Sequence, residues 1–474
     1  MEEIRIMVNG LDGTRMLIGL LIAIVVLIIL VLKTRVHAFL ALIISTVLVG
    51  LIGGMPLMNI KLENGSTFGI MNSITSGFGG TLSSIGIIIG FGVMLGQIFE
   101  ATGAAKKMAY TFLKLFGKNK EEEALALTGF LVSIPIFCDS GFIILSPIAK
   151  AISRATKKSV IGLGAALAAG LVITHSLVPP TPGPLGVCGI FGIDVGSFIL
   201  LALVLSLPMT IGCLIYSKKY LGKKLYRIPN ENGEIVEKPY EAPNYDNKVD
   251  VADEKLPGAF ESFLPILIPI VLILTNTIIS AVGVKGDGIN VILFLGQPII
   301  AVGIGLLFAL FVLGRHLDRA TAIAEMEKGM RQAGIIMLVT GGGGALGQII
   351  KDSGLGTFIA TNLAAASIPV VLLPLIIATI MRFIQGSGTV AMTTAASISA
   401  PIIISAGANP VLGAIACCVG SIFFSYFNDS YFWVVNRTLG VSEVKDQFKT
   451  WSYTSTIAWA IGVVEVLVLS IFMH

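Results

Sequence analysis

Two short polar clusters lie inside apolar sequence, and their residue types suit the binding of a small charged solute. The first is Asp139-Ser140-Gly141, within the apolar run 134–144. The second is Gly386-Ser387-Gly388-Thr389, just after Arg382. An ionised side chain at membrane depth is costly, so its presence there points to function. The Arg382 guanidinium matches a carboxylate with two parallel hydrogen bonds, which makes it a candidate anion clamp. The competing role is a structural ion pair with Asp139 or Asp429. Pro135, Gly141 and the glycines flanking Ser387 interrupt helix. The backbone groups they free need partners from protein, water or ligand. Helices starting after Gly141 and Gly388 would aim N–H groups at an anion.

Two further breaks carry polar residues. His175 and Thr181 lie in a proline-rich stretch, 175–184, and Asn428 and Asp429 lie in the stretch 425–433. Asp139, in the first hairpin, and Asp429, in the second break, are the two carboxylates of these clusters. Either can carry a coupling proton, or help freed carbonyls to hold Na⁺. His175 has an imidazole that titrates near neutral pH, or serves as a structural hydrogen-bonder. Ser140, Thr181, Ser387 and Thr389 are candidates for substrate hydroxyls, with backbone capping as the alternative for each. Glu100 and Lys351 sit at span ends and read as interfacial.

The elements that position these residues are membrane helices. The chain of 474 residues is 55% hydrophobic and 13% charged, with a mean hydropathy of +0.90. That composition excludes a soluble domain. Many apolar runs reach the ~20 residues that span a bilayer. The net charge of +4 is spread over short loops, so topology explains it and nucleic acid does not. Five cysteines all fall in apolar segments and read as packing residues.

The reading in order is a lead at 1–15, a membrane repeat at 16–216, a cytoplasmic linker at 217–258 and a second repeat at 259–474. Spans are expected at Met16–Leu32, Val36–Met55, Leu82–Phe99, Val160–Ile173 and Phe198–Tyr216. The second set is Phe263–Ser280, Val291–Leu313, Gly334–Ile350, Val411–Phe424 and Thr454–Phe472. The segment Ala124–Ile152 is too long for one span and too short for two, so a re-entrant hairpin is expected with Cys138–Gly141 at its tip. A second hairpin, Ile368–Ser405, has its tip at Gly386–Gly388. Residues 56–75 read as a polar loop and Gly341–Gly344 as a flexible run.

Each repeat therefore has about five spanning helices, one of them broken, and one hairpin. An odd number of crossings inverts the second repeat. With the N-terminus outside, the basic patches at 33–35, 106–120, 154–158, 218–227, 315–331 and 437–449 all fall inside. Opposed hairpins and broken helices meeting at mid-membrane are a secondary-transporter plan. The fold class is thus an all-α polytopic membrane protein with two inverted-topology repeats.

The motifs Cys138–Phe142, His175–Pro184, Arg382–Val390 and Gly420–Trp433 together resemble the GntP-type gluconate permease family of bacterial inner-membrane symporters. The match runs in order along nearly the whole chain, apart from 217–258. Thr181 departs from the family, where many members carry His, and the Cys138-Asp139-Ser140 tip is not its commonest form. The resemblance implies proton-coupled uptake of a small hydroxylated carboxylate: gluconate or a related sugar acid, glycerate or D-serine. It also implies a homodimer with a moving transport domain, no cofactor, and H⁺ as the coupling ion. Na⁺ coupling is the alternative on the same fold. An enzyme is disfavoured, since neither aspartate lies in a Gly-x-Gly-Asp setting and no His-Glu-x-x-His or Gly-x-Ser-x-Gly motif occurs.

Overall fold

In lipid, backbone polar groups must be paired within the segment, so the apolar runs fold as helices. The computed structural model describes residues 11–61, 67–230, 234–240, 256–283, 286–365 and 369–473. Most of the N-terminal lead therefore lies outside the described residues. Nine helices among the described residues are long and apolar enough to cross a membrane.

The first part of the chain forms α1 (Gly13–Lys33), α2 (Ala38–Gly53), α3 (Ile70–Ala101) and α4 (Ala104–Phe116). The hairpin helices α5 (Glu121–Val132) and α6 (Cys138–Thr156) follow, then α7 (Val160–Leu177), α8 (Pro182–Phe191) and α9 (Val195–Tyr216). The remainder forms α10 (Ala259–Val282), α11 (Asp287–Leu295) and α12 (Pro298–Phe308). Next come α13 (Arg319–Asp352), α14 (Leu355–Ala365) and the hairpin pair α15 (Leu372–Gln385) and α16 (Gly388–Ser405). The chain closes with α17 (Pro410–Gly420), α18 (Ser430–Thr438) and α19 (Tyr453–Leu469). From α3 to α9 the order is long helix, short helix, hairpin, broken helix, helix. The same order recurs from α13 to α19.

The two long helices cross at glycines. A side chain added at Gly77 would lie 2.4 Å from the Gly344 carbonyl oxygen, and one at Gly329 would lie 2.8 Å from that of Val93. Early α3 thus meets late α13, and late α3 meets early α13, so the pair is antiparallel. Small residues allow this close backbone approach. The same device joins each hairpin to its broken helix. Gly170 of α7 packs on the Ala126 carbonyl of α5, and Gly420 of α17 packs on the Leu375 carbonyl of α15.

Burial separates inside from outside. In the apolar window of Val160–Phe191, 94% of residues are buried, against 28% in Ala259–Ser280. The broken helix α7–α8 is therefore the centre of the protein. Helices α1, α9 and α10 instead expose apolar faces, such as Val25, Val204 and Val271.

The structure corrects several expectations. Helix α3 begins at Ile70 and takes in part of the expected 56–75 loop. Helix α13 runs unbroken through Gly341–Gly344, because those glycines are contact points for α3 and its neighbours. The expected span Val291–Leu313 is interrupted between α11 and α12, where Gln297 caps a helix that starts with Pro298. The first hairpin turns at residues 133–137, so Cys138–Gly141 is the first turn of α6 and not the tip. Gly141 faces Leu171, whose Cδ2 would lie 2.8 Å from an added Cβ. The break after His175 is narrower than expected, because α7 continues to Leu177 and α8 accepts Pro182 in its first turn.

Candidate functional site

Five helix ends converge on one cavity of about 320 Å³. Asp139 comes from the first turn of α6 and His175 from the end of α7. Arg382 and Gly386 come from the end of α15, Ser387 to Thr389 from the start of α16, and Asn428 and Asp429 from the start of α18. All of these residues line the cavity. Three helix N-termini (α6, α16 and α18) therefore present their N–H ends to it, which favours an anion.

Local sequence explains each end. Gly386 adopts a left-handed conformation, φ +77°, as C-cap of α15. Ser387 then caps α16 by accepting a hydrogen bond from Val390 N at 3.4 Å. Asp429 caps α18 by accepting from Tyr431 N at 3.1 Å. Both are favoured N-cap types, since a side-chain oxygen satisfies an otherwise unpaired N–H.

The charged groups form a connected set. Arg382 is buried, donates through Nη1 to the Gly386 carbonyl and through Nη2 to Asp429 Oδ2. Asp429 Oδ2 also accepts from Ser425 Oγ, which accepts in turn from Trp451 Nε1 at 2.8 Å. Ser430 Oγ donates to Asp139 Oδ1 at 3.3 Å. Arg382 Nε is buried with no hydrogen-bond partner among the described residues. Arg382 is thus an ion-pair partner of Asp429 and at the same time a cavity wall with an N–H left over. His175 Nδ1 is likewise buried without a partner among the described residues, beside Phe137 at a ring distance of 5.5 Å.

Three sequence candidates stand apart from the cavity lining. Ser140 is one residue past Asp139, about 100° further round the helix. Gly141 packs on α7, as described above. The Thr181 hydroxyl donates to the Val178 carbonyl at 2.6 Å, and the residue lines a smaller neighbouring pocket shared with His175. Asn428 lines the cavity, but its amide donates to the Phe383 and Ile384 carbonyls at 3.0 and 3.3 Å, tying the second break to the second hairpin. Cavity residues that sequence reasoning did not single out are Ser176, Ser421, Tyr431, Trp451 and Ser455. The Tyr431 and Ser176 positions fall inside the polar breaks. Trp451 and Ser455 carry no local signal, since they reach the cavity from the last helix and the turn just before it.

A helical body of membrane-spanning length, with broken helices enclosing a charged cavity, defines a polytopic membrane transporter. Residues 15–472 match the family model described as GntP family permease. The chain is 47% identical over 463 residues to an uncharacterized permease of Haemophilus influenzae, covering 96% of this chain and 92% of that one. It is 33% identical over 464 residues to a gluconate permease of Pseudomonas aeruginosa, covering 97% and 98%. In structure it resembles MtrF of Neisseria gonorrhoeae, from a class of antimetabolite efflux pumps, with a TM-score of 0.62 at 16% identity over 93% of this chain and 97% of that one. The chain belongs to the GntP family of permeases. It is a multi-pass membrane transporter and not an enzyme.

Proposed function

We propose that this permease imports a small hydroxylated carboxylate, gluconate or a related sugar acid, by proton symport across a bacterial inner membrane. The observation that carries the reading is Arg382, a buried guanidinium with a spare N–H on the wall of a polar cavity. The relative's name, gluconate permease, supplies the substrate class. The helix N-termini around the cavity favour the carboxylate. The hydroxyls of Ser387 and Thr389 are within the lining and suit a polyol chain.

Charge balance supports co-transport. The cavity lining holds one guanidinium, Arg382, and two carboxylates, Asp139 and Asp429. A substrate carboxylate adds a further negative charge. Two like charges ~6 Å apart repel by about 3 kcal/mol at an effective dielectric of 20. A proton entering with the substrate removes that cost. Asp139 and Asp429 are the proton acceptors in this scheme, and His175 is the third titratable wall.

The transport cycle is elevator-like. The two hairpins and the broken helices α7–α8 and α17–α18 move as a body against α1, α2 and α10–α12, within a homodimer. The antiparallel α3–α13 crossing supports an inverted repeat. The segment 217–258 faces the cytoplasm, and no resident cofactor is required. Equilibrium titration of the purified protein tests the substrate, with the fluorescence of cavity-lining Trp451 as reporter. Saturable quenching by gluconate, and by a related sugar acid at the same site, is expected. Quenching by glycerate or D-serine but not by gluconate would move the substrate within the same fold, and no response to any of them would reject the reading.

A further inference from the structure

Residues 225–230 and 234–237, within a stretch that reads as a polar linker, are built into the base of the site-bearing helices. Two short strands, Arg227–Pro229 and Ile235–Glu237, pair antiparallel. Tyr226, Arg227 and Ile228 are all buried. The Tyr226 hydroxyl donates to the Lys157 carbonyl at 2.8 Å, at the C-cap of α6. Arg227 N donates to Ser159 Oγ at 3.2 Å, and Ser159 Oγ donates to the Leu225 carbonyl at 2.6 Å. These contacts close on the end of the first hairpin.

The other side of the same strand grips the second half of the chain. Arg227 Nη1 donates to the Gly440 carbonyl at 2.8 Å, just past the end of α18. Its Nη2 pairs with Asp446 and Glu237, each at 3.5 Å, and its side chain is 9% exposed. Gly440 has φ +67°, and an added Cβ would lie 2.9 Å from Ile235 Cβ, so strand and loop are in close contact.

Helices α6 and α18 pack side by side, with Phe142 and Tyr431 rings 6.1 Å apart. Asp139 is in the first turn of one and Asp429 is the N-cap of the other. The two carboxylates thus stand at the near ends of two helices whose far ends are held by the adjacent residues Tyr226 and Arg227. At 1.5 Å per residue the lever arms are about 27 Å for α6 and about 16 Å for α18.

We propose that Tyr226 and Arg227 are positioning residues of the transport site, which fix α6 against α18 and so set the spacing of Asp139 and Asp429. The proposal rests on the assignment of those carboxylates to the transport cycle. It makes residues 225–230 and 234–237 a strap belonging to the site-bearing body.

The test compares the full-length protein with Arg227→Ala, Arg227→Lys and Tyr226→Phe. Hydrogen–deuterium exchange is followed over 430–438 and the first turn of α6, and gluconate uptake is followed in proteoliposomes at matched protein amount. Arg227→Ala is expected to speed exchange at both helix starts and, because Asp429 holds the Arg382 clamp, to raise the half-saturation roughly tenfold, within the ~100-fold that a displacement of about 1 Å can cost. Arg227→Lys, which keeps a donor for Gly440, is expected to restore both. Unchanged exchange at 430–438, or a fall in maximal rate with half-saturation unmoved, would overturn the proposal. If Arg227→Ala fails to fold, Tyr226→Phe, which deletes one hydroxyl, is read by the same two criteria. If the wild-type protein transports no gluconate, the functional reading fails separately, and the exchange measurement still decides whether the strap holds the carboxylate-bearing ends.

Discussion

Replacing Arg382 by alanine separates its two roles. In the protein the guanidinium neutralises Asp429 and bonds the Gly386 carbonyl. Its removal leaves Asp429 buried, with Ser425 Oγ and Tyr431 N as remaining donors. Stranding one member of a buried ion pair costs about 3–5 kcal/mol. The variant is therefore expected to fold with a clearly lower melting temperature. Loss of a charged hydrogen bond to substrate costs about 1.5–3 kcal/mol, roughly 10- to 150-fold in half-saturation. The double variant Arg382→Ala/Asp429→Asn removes the stranded charge as well. It should recover most of the stability and none of the affinity, a coupling that a double-mutant cycle measures directly. Thermal unfolding of the purified proteins and fluorescence titration with gluconate supply the two readouts. An unchanged half-saturation in Arg382→Ala would remove the clamp. A double variant as unstable as the single one would remove the ion-pair account.

Other expected outcomes follow from the same geometry. Asp139→Asn should abolish uptake driven by a proton gradient while leaving substrate exchange across preloaded vesicles, which separates coupling from binding. Gly386→Ala should inactivate the protein, since φ is +77° and the new Cβ would meet the Asn428 carbonyl oxygen at 2.1 Å; wild-type transport by this variant would discount the hairpin tip. Lys158, outside the spans, pairs with Glu121 at 2.7 Å and Glu122 at 2.6 Å at the base of the first hairpin. Burial alone would lower its pKa, but Glu122 and Glu121 together hold it above the ordinary 10.5. The stabilisation is then fully present below about 10.5 and lost as pH rises through the higher folded value. Lys158→Met should cost about 3–5 kcal/mol by stranding two carboxylates and should flatten the alkaline limb of a melting-temperature profile.

Much of the site was legible because polar residues and helix breakers inside apolar sequence have few innocent explanations. Arg382, Gly386, Ser387 and Asp429 were all visible in this way, and they meet at one cavity. The sequence left open whether Arg382 pairs with Asp139 or Asp429, since that depends on which break faces which hairpin. Helical phase explains Ser140: a turn was expected there, but α6 has already begun, and the residue next to Asp139 points elsewhere. The run Gly341–Gly344 reads locally as flexible. Its purpose is contact with residues such as Thr81 and Phe78, far away in sequence, so no local pattern reveals it. Trp451 and the strap at 225–230 and 234–237 were missed for the same reason, because each acts through partners on distant elements.

Uptake of labelled gluconate into proteoliposomes tests the central claim, first under an inward proton gradient without Na⁺ and then under a Na⁺ gradient at equal pH. The account predicts accumulation above equilibrium in the first arm, abolished by a protonophore, and none in the second. Accumulation driven by Na⁺ alone would contradict proton symport, and no accumulation in either arm would contradict gluconate as the substrate.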